Sequence, residues 1–295
     1  MVVLVAGDGT GYVSDVLKQT QVGRRRVLLG AMGVAAAPTL SLAIAPPASA
    51  VTKTRLDSTI GSYVRARGGT VGISLWDNRT GVHYTYNSFS NETLSTVKIL
   101  ILCTVLRVSR EQGRPLTSSQ RTLVGRMMGS SDNAATDTLL AQVGVSNVQR
   151  VTRLLGLTYT TIRGGGAAGS STWWGYSTTV PWDFLKLETY LVNGTPVLTP
   201  AERTYVRSWM SNVTSSQIWG VVNPSFASMV NAEVKNGWGP RTGGYRLNSV
   251  GRIKGYGRDY QMAMLSRSPN GFYYGRDTLN GVSSIVFREL ATPLT

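Results

Sequence analysis

At 295 residues, with 42% apolar side chains and ordinary glycine and proline content, the chain can hold one large domain or two small ones around a packed core, and it does not read as disordered. Its net charge is +15, but the cations are mostly arginines scattered among apolar and polar residues, so no nucleic-acid motif emerges and no nucleic-acid partner is expected. A single cysteine (Cys103) and a single histidine (His83) exclude a disulfide framework and a multi-histidine zinc site, and no metal or other cofactor is expected.

Residues 1–23 carry no readable pattern. Residues 24–50 read as an export signal. Arg24-Arg25-Arg26 precede a mildly apolar stretch interrupted by Gly30, Gly33 and Pro38, and Ala48-Ser49-Ala50 offers a small-residue cleavage site. The arginines point to the twin-arginine route and a secreted or cell-envelope location. The interruptions make a permanent membrane span the weaker reading, so no span is expected after processing. Removing residues 1–50 takes away four cationic and two acidic side chains and leaves +13, a charge that would hold an exported protein near an anionic cell wall.

The remaining domain, 51–295, opens with an amphipathic helix at 56–64, followed by alternation at Val71, Ile73 and Leu75, a turn at Asn78-Arg79-Thr80-Gly81 and a partner strand. His83 lies on that partner strand and reads as structural. From Ser95 to about Leu106 the pattern is apolar nearly all round, which predicts a helix buried on every side with Cys103 in the core. Helical character continues to about Leu191, with a glycine- and serine-rich break at 164–171. Thr199-Pro200-Ala201-Glu202 opens another helix as a capping box with proline in the first turn. Strands are expected at 233–238, 260–265 and 272–274, and a last helix at 278–290. This order predicts an α/β (α+β) fold in which an antiparallel sheet is built from both chain ends (about 51–94 and 226–295) with a helical part (about 95–225) inserted.

Three short patterns carry chemistry. Ser95-Thr96-Val97-Lys98 places a hydroxyl and an amine at i, i+3 on one face of a helix start, where they can touch. Apolar surroundings would lower the lysine pKa and free its amine to accept the serine proton, although a lysine snorkelling off a buried helix fits the same pattern. Ser131-Asp132-Asn133 can be part of a polar site or simply a helix cap, since all three residues are favoured N-caps. Lys235-Asn236-Gly237 can belong to a site or to a hairpin turn, for which Asn-Gly is a strong signal.

Taken together and in this order, the three resemble the S-x-x-K, S-D-N and K-T-G signatures of class A β-lactamases and penicillin-binding proteins, with Asn236 in place of the threonine. Leu94 to Lys98, Ser131-Asp132-Asn133-Ala134-Ala135-Thr136, Thr178-Thr179-Val180-Pro181-Trp182-Asp183 and Leu198-Thr199-Pro200-Ala201-Glu202 extend that likeness over essentially the whole domain. The resemblance implies a β-lactamase/transpeptidase-like serine hydrolase acting through an acyl-enzyme. Ser95 would be the nucleophile, Lys98 its base, Ser131 the proton relay to the leaving group, and Lys235 the holder of Ser131 and of a substrate carboxylate. Asn133 would orient Lys98 and the substrate amide, Asn236 would donate to the carboxylate, and Gly237 would let substrate lie against the edge strand. The backbone N–H groups of Ser95 and Trp238 would form the oxyanion hole.

The pattern breaks in one place. Class A enzymes place a water-activating glutamate on a loop between the second and third motifs. Between Asp137 and Asp183 this sequence has no acidic residue; the stretch reads Gly164-Gly165-Gly166-Ala167-Ala168-Gly169-Ser170-Ser171-Thr172-Trp173-Trp174. Slow β-lactam hydrolysis is therefore expected, and a cell-wall peptide ending in D-alanine, a small ester, or binding without turnover are alternatives to a β-lactam. The interval from Ser95 to Ser131 is also shorter than the resemblance leads one to expect, which implies a more open cleft; Trp173, Trp174 and Tyr176 either line it or pack beneath the loop.

Overall fold

The computed structural model describes residues 50–195 and 197–295, so the export signal read at 24–50 lies almost wholly outside the described residues. In chain order the elements are α1 (Lys53–Arg67), β1 (Thr70–Asp77), β2 (Val82–Tyr86), β3 (Asn91–Glu92), a 3-10 turn (Leu94–Val97), α2 (Lys98–Glu111), α3 (Ser118–Gly129), α4 (Asn133–Val143) and α5 (Val145–Leu154). They continue with β4 (Thr178–Thr179), α6 (Pro181–Asn193), α7 (Pro200–Ser211), β5 (Asn231–Arg241), β6 (Gly244–Gly255), β7 (Arg258–Ser268) and α8 (Gly271–Glu289). No helix among the described residues is long and apolar enough to cross a membrane.

Five strands form one antiparallel sheet in the order β2-β1-β7-β6-β5, so the first hairpin of the domain is completed by strands from its far end. Val71, Ile73 and Leu75 point into one core with Leu56, Ile60, Val282 and Val286 of α1 and α8. The opposite face of β1 and β7 is covered by α6. That second cover explains why β1 is buried almost throughout instead of on alternate residues. A separate core forms around α2, where Ile99, Leu100, Ile101, Leu102 and Cys103 are all buried against the other helices of the inserted part. The helix at Thr199 starts as its sequence predicts: Thr199 N–H donates to Glu202 Oε2 (2.7 Å) and Glu202 N–H to Thr199 Oγ1 (3.2 Å).

The structure corrects three expectations. Residues 272–274 are not a strand but the first turn of α8, which starts at Gly271 and not near 278. Three adjacent aromatics favour a strand by propensity, yet the buried positions Gly275, Thr278, Leu279, Val282 and Val286 follow helical spacing, and packing decides. Residues 244–255 form a central strand that the sequence reading passed over, paired along its length with β5 and β7. The break between helices spans the whole interval from α5 to β4 and is not confined to 164–171.

Candidate active site

Ser95 lies in the 3-10 turn that enters α2, and the preceding Leu94 adopts a left-handed φ of 50°. Thr96 N–H (3.2 Å) and Thr96 Oγ1 (2.5 Å) both donate to Thr93 O, which pins the turn. The edge strand β5 passes directly over it. A Cβ at Gly237 would stand 2.7 Å from Ser95 N, 2.8 Å from Thr93 O and 2.9 Å from Thr96 N, so only glycine permits this approach. Asn236-Gly237 is therefore strand interior, and the hairpin-turn alternative falls away.

Ser131 joins α3 to α4 with φ 62°, a left-handed conformation uncommon for serine and typical of constrained sites. Asp132 caps α4 by accepting from Ala135 N–H (3.0 Å) and is held by Arg126 at 2.8 and 2.6 Å. The cap fixes the helix start, and Ser131 and Asn133 beside it both reach the same lysine. Lys98 Nζ, fully buried, donates to Ser131 O (2.6 Å), Ser131 Oγ (3.1 Å) and Asn133 Oδ1 (2.9 Å). Lys235 Nζ arrives from the other side, 3.0 Å from the same Ser131 Oγ and 3.1 Å from Asn236 O. Two amines thus converge on one hydroxyl.

That arrangement disfavours positive charge. Burial lowers the Lys98 pKa to about 7, with the Asp132 and Asp137 carboxylates opposing the shift. Burial, and then repulsion from Lys98, pushes Lys235 well below the ordinary lysine range. Near neutral pH a large fraction of Lys98 is the free amine, which can take a proton. The Ser95 and Lys98 side chains are not hydrogen-bonded to each other, because Ser131 and Asn133 occupy the amine; Ser95 Oγ has no hydrogen bond among the described residues.

Asn236 does not take the place read for it. Its Nδ2 donates to Gln217 O (2.7 Å) and Trp219 O (3.2 Å), while Oδ1 is buried without a partner. Exchanging the amide atoms would set the oxygen against two carbonyls, so this orientation stands, and neither amide hydrogen is free for a substrate carboxylate. Trp238 is half-buried, its ring 5.8 Å from that of Trp219 and 5.7 Å from that of Phe272.

His83 sits on β2, at the opposite sheet edge from β5. Four strand spacings of about 4.8 Å separate them by roughly 19 Å, too far for it to serve Ser95. Of the two groups behind Lys98, the sequence reading singled out Trp174, as cleft wall or as packing beneath the loop, and missed Asp137. The buried Trp174 ring lies 5.0 Å from Lys98 Nζ, and its Nε1 donates to Asp137 Oδ1 at 2.6 Å. The signal was present in Asp137, one helical turn after Asn133 and hence on the same face of α4.

Sequence comparison matches residues 109–290, more than half of the chain, to the β-lactamase enzyme family. Comparison with curated proteins gives no match. Among solved structures, the chain is similar to a class A β-lactamase from Mycobacterium abscessus, with TM-score 0.66, 19% identity, and 80% of this chain and 100% of that one covered. It is similar also to a β-lactamase from Sphaerobacter thermophilus, with TM-score 0.67, 20% identity, and 80% and 98% covered. A class A representative from Bacteroides cellulosilyticus gives TM-score 0.68 at 17% identity, with 81% and 98% covered. At such identities the structural likeness speaks for the fold, and the family match carries membership. The chain belongs to the β-lactamase enzyme family, a serine hydrolase in fold.

Proposed function

We propose that the protein is an exported serine hydrolase that forms an acyl-enzyme at Ser95 with β-lactams or related amides and esters. The observation that carries this reading is the convergence of Lys98 and Lys235 on Ser131 Oγ beside a serine whose backbone is held against the β5 edge. Neutral Lys98 takes the Ser95 proton as Oγ attacks the carbonyl carbon. The oxyanion is met by the backbone N–H groups of Ser95 and Trp238. As the carbon–nitrogen bond breaks, the proton returns from Lys98 through Ser131 Oγ to the leaving nitrogen, leaving the ester on Ser95. Asn133 and Lys235 hold this relay in position, and export through the twin-arginine route puts it at the cell envelope.

Breaking the ester is the slower half in this proposal. No carboxylate lies between Asp137 and Asp183 in sequence, and the Trp174 ring occupies space beside Lys98. The same observation favours a second reading, a D-alanyl peptidase or esterase whose acyl-enzyme is cleared by some route other than a loop glutamate.

The test mixes enzyme with excess chromogenic cephalosporin, which should give a burst of about one equivalent followed by a slow phase. Mass spectrometry should place the adduct on Ser95. A D-alanyl-D-alanine peptide and a nitrophenyl ester run in parallel rank the substrate classes. An unlabelled wild type, or a Ser95→Ala variant that labels equally, overturns the proposal.

A further inference from the structure

The β5 edge gives the cleft a direction. Lys235 and Ser131 mark the end where a leaving group departs, and Gly237 marks the nucleophile. Acyl chemistry must then extend the other way, along residues 238–241. Four residues beyond Gly237, about 13 Å along an extended strand, stands Arg241. It borders a cavity of about 260 Å³ whose walls include Glu92, Arg163, Ser171, Tyr176 and Thr178.

The charges around this cavity do not cancel. Glu92 is shared by two arginines, Arg241 (3.0 Å) and Arg246 (3.2 Å), and the Arg241 guanidinium stacks 3.9 Å over the Tyr176 ring. Arg163 is exposed and has no carboxylate partner; it donates to Ser171 O at 2.7 Å, which leaves most of its guanidinium N–H groups available. Two arginines, Arg163 and Arg241, therefore face one carboxylate, whose charge is also drawn on by Arg246 from outside the cavity. At the leaving-group end the balance is different. The amide hydrogens of Asn236 are consumed by backbone, and burial drives the two lysines toward neutrality.

From this asymmetry we infer that the cavity is an anion subsite for the far end of the acyl group. The preferred substrate is then an acyl compound with a carboxylate at the tip of its acyl chain. The inference rests on acylation at Ser95. The glycine-rich loop, which brings no base to the cleft, has here a binding role, because Ser171 and Arg163 at its two ends form one wall.

Two chromogenic cephalosporins that differ only in the acyl tip make the test, one carrying a 7-adipoylamino and the other a 7-hexanoylamino group. The quantity read is the ratio of their second-order acylation rates on Ser95, which cancels any general loss of activity in a variant. We expect the charged tip to be favoured by about tenfold at low salt, the effect of one charge-assisted contact. The preference should shrink at high salt and fall to about threefold or less in Arg163→Gln and in Arg241→Gln. A ratio near one in the wild type, or a preference that survives in both variants, overturns the inference while leaving acylation intact. If neither compound modifies Ser95, the proposed function itself fails.

Discussion

Replacing Glu188 by glutamine should make the protein more stable, and increasingly so as pH rises. Glu188 lies on α6 against the sheet, fully buried, and neither carboxylate oxygen has a hydrogen-bond partner. Burial, reinforced by the nearby Glu233 carboxylate, pushes its pKa up from 4.5 to about 8. Arg207 and Arg252 oppose this, but Arg207 is committed to Glu233 (2.9 and 2.5 Å) and Arg252 to Asp259 (3.0 and 2.9 Å). Because the folded-state pKa is raised, stability is fully present below the unfolded pKa and drains away as pH rises toward the folded one. Each pH unit in that window costs about 1.4 kcal/mol, so the penalty is about 3 kcal/mol at pH 7, a large share of a typical 5–15 kcal/mol total. Urea unfolding of wild type and Glu188→Gln at pH 5 and pH 8 isolates the effect, since other titrating groups, including the half-buried His83, are common to both proteins. The variant's advantage should grow by about 3–4 kcal/mol between the two pH values. Growth below about 1 kcal/mol would show that Glu188 ionises freely in the fold and that water or a neighbour satisfies it.

Acylation of Ser95 should rise with pH through about 7 and then level off as Lys98 loses its proton, and Lys98→Met should cut the rate at least about a hundredfold with the fold retained. A pH-independent wild-type rate, or an unimpaired methionine variant, assigns the base elsewhere. Gly237→Ala should slow labelling sharply and lower the melting temperature, because the new methyl would begin 2.7 Å from Ser95 N; normal labelling would mean the strand does not press on the turn. Secreted protein should begin at Val51 by N-terminal sequencing, and Arg24→Lys, Arg25→Lys and Arg26→Lys together should block its export; undiminished secretion argues against the twin-arginine route. A glutamate introduced into the loop should fail to speed deacylation. Gly165 has φ 98°, a Cβ at Gly164 would meet Val145 at 2.3 Å, and one at Gly166 would meet Ser170 at 2.0 Å.

Periodicity and capping were legible in the sequence wherever a local rule set the structure. The hairpin at 70–86, the buried helix after Ser95 and the Thr199 capping box all appear as read. What escaped was decided by neighbours distant in sequence. Phe272, Tyr273 and Tyr274 became helical because the residues after them pack on β6 and β7. Residues 244–255 became a strand because partners lie on both sides. At the site, the three motifs located Lys98, Ser131, Asn133 and Lys235, whose side chains meet, but motif matching gave Asn236 a threonine's job. Its longer amide finds the carbonyls of Gln217 and Trp219, a contact that no spacing rule contains. Arg163 and Arg241, 78 positions apart by their numbering, could not be paired before the fold brought them to one cavity.

The sheet order also sets a timetable. On one side β1 has only the short β2, and its other partner, β7, is made some 190 residues later. At a synthesis rate of about 5–20 residues per second, the β1–β2 hairpin waits on the order of ten to forty seconds with one long edge unpaired. The helical part can gather around α2 in that interval, but Ser95 gains its β5 neighbour only when the last third of the chain has emerged. Even the start of the domain is secured late, since Val51 N–H donates to Pro293 O (3.3 Å) and Val51 O accepts from Thr295 N–H (2.9 Å). The nascent chain must therefore be kept from edge-to-edge association until release, and Ser95 and the strand that completes its site come together only after nearly all of the protein has been made.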